Sequence, residues 1–265
     1  MVASDNGRYR IPRDNPFVGV SGARKEIWAY GFRNPHRLTW DVDPANPSGN
    51  YLIASTIGLH TWEMVQIVHK GANYGYSERE GGQALLPSNA LGPVPDVDTI
   101  PVHVSDTVTN GTIAPTYPVI AYPHKADGGD AVAGGFVYRG TKLPALRGKF
   151  VFGDISTGKV WYADLKDMVA ADDGKPETMA AMHALRLEWN DPTGTPDAGN
   201  KTFDTMFPIV ELAYHARGGK DPDLPGRSTV SGSGRADIRF AVDADGELYI
   251  LSKSDGVIRA VTGVK

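Results

Sequence analysis

The chain has 265 residues, with 27 Lys and Arg against 31 Asp and Glu and a formal net charge of −4. That balance argues against a nucleic-acid binder working by bulk phosphate neutralisation, and the longest apolar runs, such as 52–54 and 150–152, fall far short of the ~20 residues of a membrane helix. Cysteine is absent, which excludes disulfides, thiolate nucleophiles and Cys-ligated metal sites, while 31 Gly and 19 Pro imply many tight turns joining short strands.

In chain order, an apolar segment at 37–40 precedes Gly49-Asn-Tyr-Leu-Ile-Ala-Ser-Thr-Ile-Gly58, which leads into a further strand at 62–68. Residues 80–117 are Pro- and Asp-rich with little periodicity and read as an insertion. The same grammar returns at 135–138, in Gly148-Lys-Phe-Val-Phe-Gly-Asp-Ile-Ser-Thr-Gly158, and at 159–164. Residues 165–187 are the best helical stretch, with one or two short helices expected around 167–169 and 177–187, inside a second insertion at 172–204. The grammar appears a third time at 238–242, in Gly246-Glu-Leu-Tyr-Ile-Leu-Ser-Lys-Ser-Asp-Gly256, and at 257–262.

Each unit supplies at least three antiparallel strands joined by short turns, the pattern of a β-propeller blade. The alternative is three unrelated hairpins in a sandwich, since Gly-containing turns occur throughout all-β proteins. The blade-like units lie around 26–76, 132–165 and 235–264. The turn glycines at 49, 148 and 246 are about twice a blade apart, so the insertions, or an unrecognised blade, separate the units.

Taken in order, Ile11-Pro-Arg-Asp-Asn-Pro-Phe17, Glu26-Ile-Trp-Ala-Tyr-Gly-Phe-Arg-Asn-Pro-His-Arg37, Trp62-Glu63, Lys70-Gly-Ala-Asn-Tyr-Gly75, Gly134-Gly-Phe-Val-Tyr-Arg-Gly140 and Phe150-Val-Phe-Gly-Asp154 resemble the glucose/sorbosone dehydrogenase family. The resemblance runs over about 11–264. It implies an all-β fold, a six-bladed propeller of which this stretch corresponds to the C-terminal part, so that 1–265 forms a single partial propeller domain. It also implies a soluble quinoprotein that oxidises a sugar or polyol with pyrroloquinoline quinone (PQQ) and calcium, working in the periplasm or outside the cell, although no signal peptide is visible at the N-terminus. An open set of blades exposes strand edges and apolar faces, so the missing blades or a homo-oligomer partner are expected to close it.

The resemblance assigns Arg33 and Asn34 to the cofactor, and an Arg fork suits the carboxylates of a quinone tricarboxylate. Pairing of Arg33 with Glu26 or Glu63 is the alternative. Backbone carbonyls at Gly58 and Leu59 fall where the family holds calcium. Arg235 fits the first of two family arginines near the end of the chain, and Asp237 or Arg239 the second. Two positions depart from the family: Ile57 stands for a polar amide and Ser156 for a Lys, which leaves open a non-catalytic propeller that binds carbohydrate or protein.

Tyr122 and His124 are candidates for the mouth of a substrate site, with a solvated loop His as the alternative. No base can be assigned among His36, His60, His69, His103, His124, His183 and His215, because the family's catalytic His belongs to earlier blades. Asp127, Asp130 and the run 41–46 invite a calcium reading but lack an EF-hand's Gly and Glu. Asp243-Ala-Asp-Gly-Glu247 reads as a strand-joining turn, and 215–223 lacks phosphate-loop spacing. A propeller hydrolase with an axial metal finds no recurring acidic positions.

Overall fold

The computed structural model describes residues 1–43, 45–46, 48–125, 128–189, 201–227, 232 and 234–264. Asp127 and part of the second expected insertion lie outside the described residues. Three antiparallel sheets dominate, each with its strands side by side in chain order. The first runs Pro35–Asp41, Tyr51–Ile57, Trp62–Ile67 and Ile120–Pro123, the second Val132–Val137, Lys149–Asp154, Val160–Asp164 and His183–Ala184, and the third Ile238–Val242, Leu248–Ser252 and Val257–Ala260. The opening strand of the second sheet packs against the opening strands of both others. This is the radial arrangement of propeller blades, with the first strand of each innermost.

Period-two alternation builds the interior. In the middle blade Phe150 and Phe152 face the first blade, in a cluster with Ile53, Val65, Val132 and Trp161. Val151 points the other way, into a cluster with Ile238, Leu248 and Ile250 of the third blade. A blade buried on both faces needs a continuous apolar strand, which is why 150–152 shows no polar alternation. The outward faces of the end blades are less covered. Leu38 and Trp40 are 60% and 56% exposed on the first, and Ile258 is 66% exposed on the third.

Polar contacts pin neighbouring blades at one rim. Arg139 donates to both oxygens of buried Asp41, at 3.0 and 2.7 Å, and reaches Asp43 at 3.0 Å. The Tyr138 hydroxyl donates to Glu247 at 2.6 Å, and Glu247 also accepts from the amides of Thr141 and Lys142. The 243–247 turn closes on itself, with the Gly246 amide donating to the Asp243 carbonyl at 3.1 Å.

Three expectations need correction. Residues 177–187 are not helical: Ala180 donates to the Val119 carbonyl, and 183–184 complete the second blade by pairing with 161–162. The open hydrogen-bonding edge of Val160–Asp164 outcompetes a short helix there. The helix Leu165–Ala171 is present, burying Leu165, Met168 and Ala171 at the expected spacing. A second, ten-residue helix, Phe207–Ala216, lies where none was expected and buries Ile209 and Val210 against the third blade. The insertion at 80–117 also carries more order than its composition suggests, in a hairpin of Ile100–Ser105 and Val108–Ile113.

Candidate functional site

Antiparallel connection places the start of each blade's first strand, the end of its second and the end of its fourth on one rim. Arg33 and Asn34 precede a first strand, Gly58 and Leu59 follow a second, His124 follows a fourth, Ser156 follows another second, and Arg235 precedes a first. All therefore gather at the rim opposite the Arg139 and Glu247 pins. Cross-blade contacts join them. The Ala236 amide donates to the Ser156 carbonyl at 2.9 Å, and Gly134, at φ +78°, lies so close to Arg37 that an added Cβ would sit 2.6 Å from the Arg37 Cβ.

At this rim the starts of two inner strands are irregular. Pairing of the first blade slips between Pro35 and Arg37, and that of the second between Val132 and Gly134. Such bulges re-aim side chains, and the first one carries His36. Around His36 stand Arg37 from its own strand and Arg235, Asp237 and Arg239 from the third blade. Burial lowers the pKa of His36, and Arg239, Arg37 and Arg235 lower it further against the opposing charge of Asp237. Arg239 is likewise held below its ordinary value, first by burial and then by Arg37 and Arg235 despite Asp237.

Within this cluster Arg239 lies 2.9 Å from Asp237, and Lys253 3.6 Å from the same carboxylate. Asp237 takes a left-handed φ of +46°, a conformation that Asp and Asn adopt more readily than most residues. Among the described residues, His36 Nε2 and Arg235 Nε are buried without a hydrogen-bond partner. Guanidinium groups gathered around the unmet Arg235 Nε–H have the chemistry to hold an anion. Arg235 and Arg239 are expected from the sequence; His36 and Arg37 carry no signal there that marks them as ligands.

Arg33 pairs with neither Glu26 nor Glu63. Its Nη1 donates to the carbonyls of Gly58, at 2.5 Å, and Ile57, at 3.4 Å, while Glu26 accepts instead from Tyr9. The carbonyl expected to meet calcium thus faces a guanidinium, an arrangement that does not suit a bound cation unless Arg33 swings away. Asn34 is exposed, and its carbonyl receives the Ile57 amide at 2.9 Å. Leu59, with His60, Thr61 and Trp62, points its amide at one oxygen of buried Glu80, at 2.8–3.2 Å. Gly58 fits this tight turn because an added Cβ would sit 1.8 Å from the Trp62 carbonyl oxygen. Among the described residues no group of three or more His, Asp or Glu is placed to hold a metal ion.

Tyr122 belongs to the interior rather than to an open mouth. It is 4% exposed, its ring meets Trp161 at 4.9 Å and its hydroxyl donates to Asp154. Asp154 is itself a buried hub binding Asp130, Ala131, Ser156 and Thr157. Ser156 donates its hydroxyl to Asp130, so this serine braces the loop where a Lys was expected.

His124 is not a solvated loop His: its Nε2 meets fully buried Glu63, whose other oxygen accepts from the Val132 amide at 2.6 Å. Burial pushes the Glu63 carboxyl up to about 7 against the opposing effects of His124 and the Val132 amide. Burial also works against a charge on His124, but the hydrogen bond and charge of Glu63 outweigh it and raise His124. The pair can therefore hold and release a proton near neutrality. Both groups bind protons more tightly folded than unfolded, so the associated stability is complete below the unfolded values and lost as pH rises through the folded ones. The thermal midpoint should fall between pH 5 and 8, and Glu63→Gln should flatten that dependence; an unchanged pH profile in the variant would refute the assignment.

The geometry defines a set of propeller blades with a cluster of arginines around His36 and Asp237 on one rim. A family model described as Glucose / Sorbosone dehydrogenase matches residues 4–185, and the chain belongs to that family. It is 30% identical to the HIPL2 protein of Arabidopsis thaliana over 161 residues, covering 59% of this chain and 20% of that protein. It is also 44% identical over 66 residues to the aldose sugar dehydrogenase YliI of Escherichia coli (strain K12), covering 25% of this chain and 16% of the relative.

Among solved structures, a glucose dehydrogenase superposes with a TM-score of 0.54 at 18% identity, covering 96% of this chain and 51% of that one. The soluble aldose sugar dehydrogenase of Escherichia coli in its apo-form gives 0.52 at 20% identity, covering 98% and 53%. The chain thus spans about a fifth of the HIPL2 protein and about half of these structures. Both superpositions establish the propeller fold.

Proposed function

We propose that this chain forms the part of a PQQ-dependent sugar or polyol dehydrogenase that holds the anionic edge of the quinone. The observation that carries the reading is the rim cluster of Arg37, Arg235 and Arg239 with buried, unpartnered polar atoms on His36 and Arg235. PQQ, when bound, supplies the electron-accepting quinone. The chain's own contribution is electrostatic: arginine forks fix the orientation of planar carboxylates, and the braced turns at 58–62 and 155–158 form the adjoining walls.

The substrate's general base, in this reading, comes from blades outside the matched stretch, as the family resemblance implies. Those blades, or a second copy of the chain, would also cover Leu38 and Trp40. In this reading the Gly58 carbonyl serves Arg33, and calcium would join only with that guanidinium displaced. Export to the periplasm or beyond accompanies the quinoprotein reading.

A second reading is a propeller that binds carbohydrate or protein without cofactor. It is favoured by Ile57 and by Ser156, whose hydroxyl is engaged by Asp130. Calorimetric titration of the folded chain with PQQ, with and without calcium, separates the two. Saturable binding, weakened about tenfold or more by Arg235→Ala as for a lost charged hydrogen bond, supports the quinone site. Absence of binding by the folded chain favours the second reading.

A further inference from the structure

We infer that His36 is a further ligand of the rim anion site, donating from Nε2 to the bound anion and taking up a proton as the anion enters. The inference rests on the proposed quinone site for the identity of the natural ligand, and on the geometry of this chain for the rest. His36 lies where first-blade pairing slips, between Pro35 paired with Thr56 and Arg37 paired with Ser55. Its Nε2 is buried yet meets no hydrogen-bond partner, although an imidazole nitrogen can serve as donor or acceptor according to its protonation. A buried polar atom left unmet beside guanidinium groups indicates a missing acceptor rather than a missing donor.

The charges around His36 determine the coupling. Arg37 faces it from its own strand, and Arg235, Asp237 and Arg239 from the third blade. With the site free, burial and the arginines disfavour the imidazolium. An arriving polycarboxylate or phosphate neutralises those arginines and offers an acceptor at Nε2, so the imidazolium becomes the favoured form. The balance is one proton from solvent bound per occupied site, with no bond broken in the ligand. Because protonation is easier in the bound state, affinity rises as pH falls through the bound-state value and levels off below the free-state value, by up to tenfold per pH unit between them.

The test is calorimetry with PQQ at pH 6.5 in two buffers of different ionisation enthalpy, for the unaltered chain and for His36→Gln. Titration of Glu63 and His124 is common to both proteins, so the difference between them reads His36. The expected result is net proton uptake on binding and a pH-dependent affinity, both lost in His36→Gln. NMR gives an independent reading: the His36 Cε1–H resonance, assigned by its loss in the variant, should titrate below the ordinary histidine value in the free chain and shift upward at saturation.

Binding of PQQ with the same proton uptake in both proteins would overturn the inference and leave the quinone reading standing. If PQQ fails to bind but citrate or inorganic phosphate binds with His36-dependent proton uptake, the inference holds and the quinone reading falls. If none of these anions binds the folded chain, both fall.

Discussion

Asp154→Ala is expected to destabilise the chain by about 3 kcal/mol or more, measured by chemical denaturation. One carboxylate oxygen accepts from the Tyr122 hydroxyl at 3.2 Å and from the amides of Asp130 and Ala131 at 2.7 and 2.8 Å. The other accepts from the amides of Ser156 and Thr157, at 3.1 and 2.9 Å, and from the Thr157 hydroxyl at 2.9 Å. Ala131, Ser156 and Tyr122 are buried, so deletion strands several donors away from water, at roughly 1–3 kcal/mol each.

The same residue joins the loop entering the second blade's inner strand to the turn after its second strand. That turn in turn supports the third blade through the Ser156 carbonyl and the Ala236 amide. Asp154→Ala should therefore also weaken ligand binding at the rim, even under conditions where the variant remains folded. A loss below 1 kcal/mol with unchanged binding would show that the two loops are held by other contacts.

The strands were legible because glycine turns and period-two apolar segments are local signals. Residues 149–154 and 248–252 form strands where the spacing of Gly148, Gly158, Gly246 and Gly256 places them. The fourth strands were not, since Ile120–Pro123 and His183–Ala184 are too short for a period to register and exist because a neighbouring strand offers an edge. The helix Phe207–Ala216 was hidden by Pro208 and by the adjacent β-branched pair Ile209 and Val210, residues that weaken a helical reading until their burial against the third blade is known.

At the rim, Arg33, Gly58, Ser156 and Arg235 could be placed from the family resemblance and the strand order. Their partners could not. Glu63 meets His124 across 61 residues and Glu80 receives the turn amides across about 20, and no spacing announces either contact. His36 was equally silent, because its role depends on a bulge and on guanidinium groups from another blade. Burial misleads in the opposite direction at Tyr122, where an aromatic residue next to a loop suggested a substrate wall but packs on Trp161.

Replacing Arg235 and Arg239 together by alanine should weaken PQQ binding by a hundredfold or more. A hydrogen bond to a charged group contributes about 1.5–3 kcal/mol, so two lost guanidiniums account for at least two orders of magnitude. Stability should fall by less than binding, because loss of the Arg239–Asp237 pair at 2.9 Å is offset in part by relief of the repulsion among Arg37, Arg235 and Arg239. The salt dependence of the remaining binding should also become shallower.

Asp237→Asn supplies the opposite sign. Asparagine tolerates the left-handed φ of +46°, but its neutral side chain no longer compensates Arg239 and Lys253. Anion affinity should therefore rise and the thermal midpoint fall. A purely structural role would lower stability and affinity together, so affinity rising while stability falls in Asp237→Asn would identify the cluster as an anion site whose charge Asp237 keeps in balance.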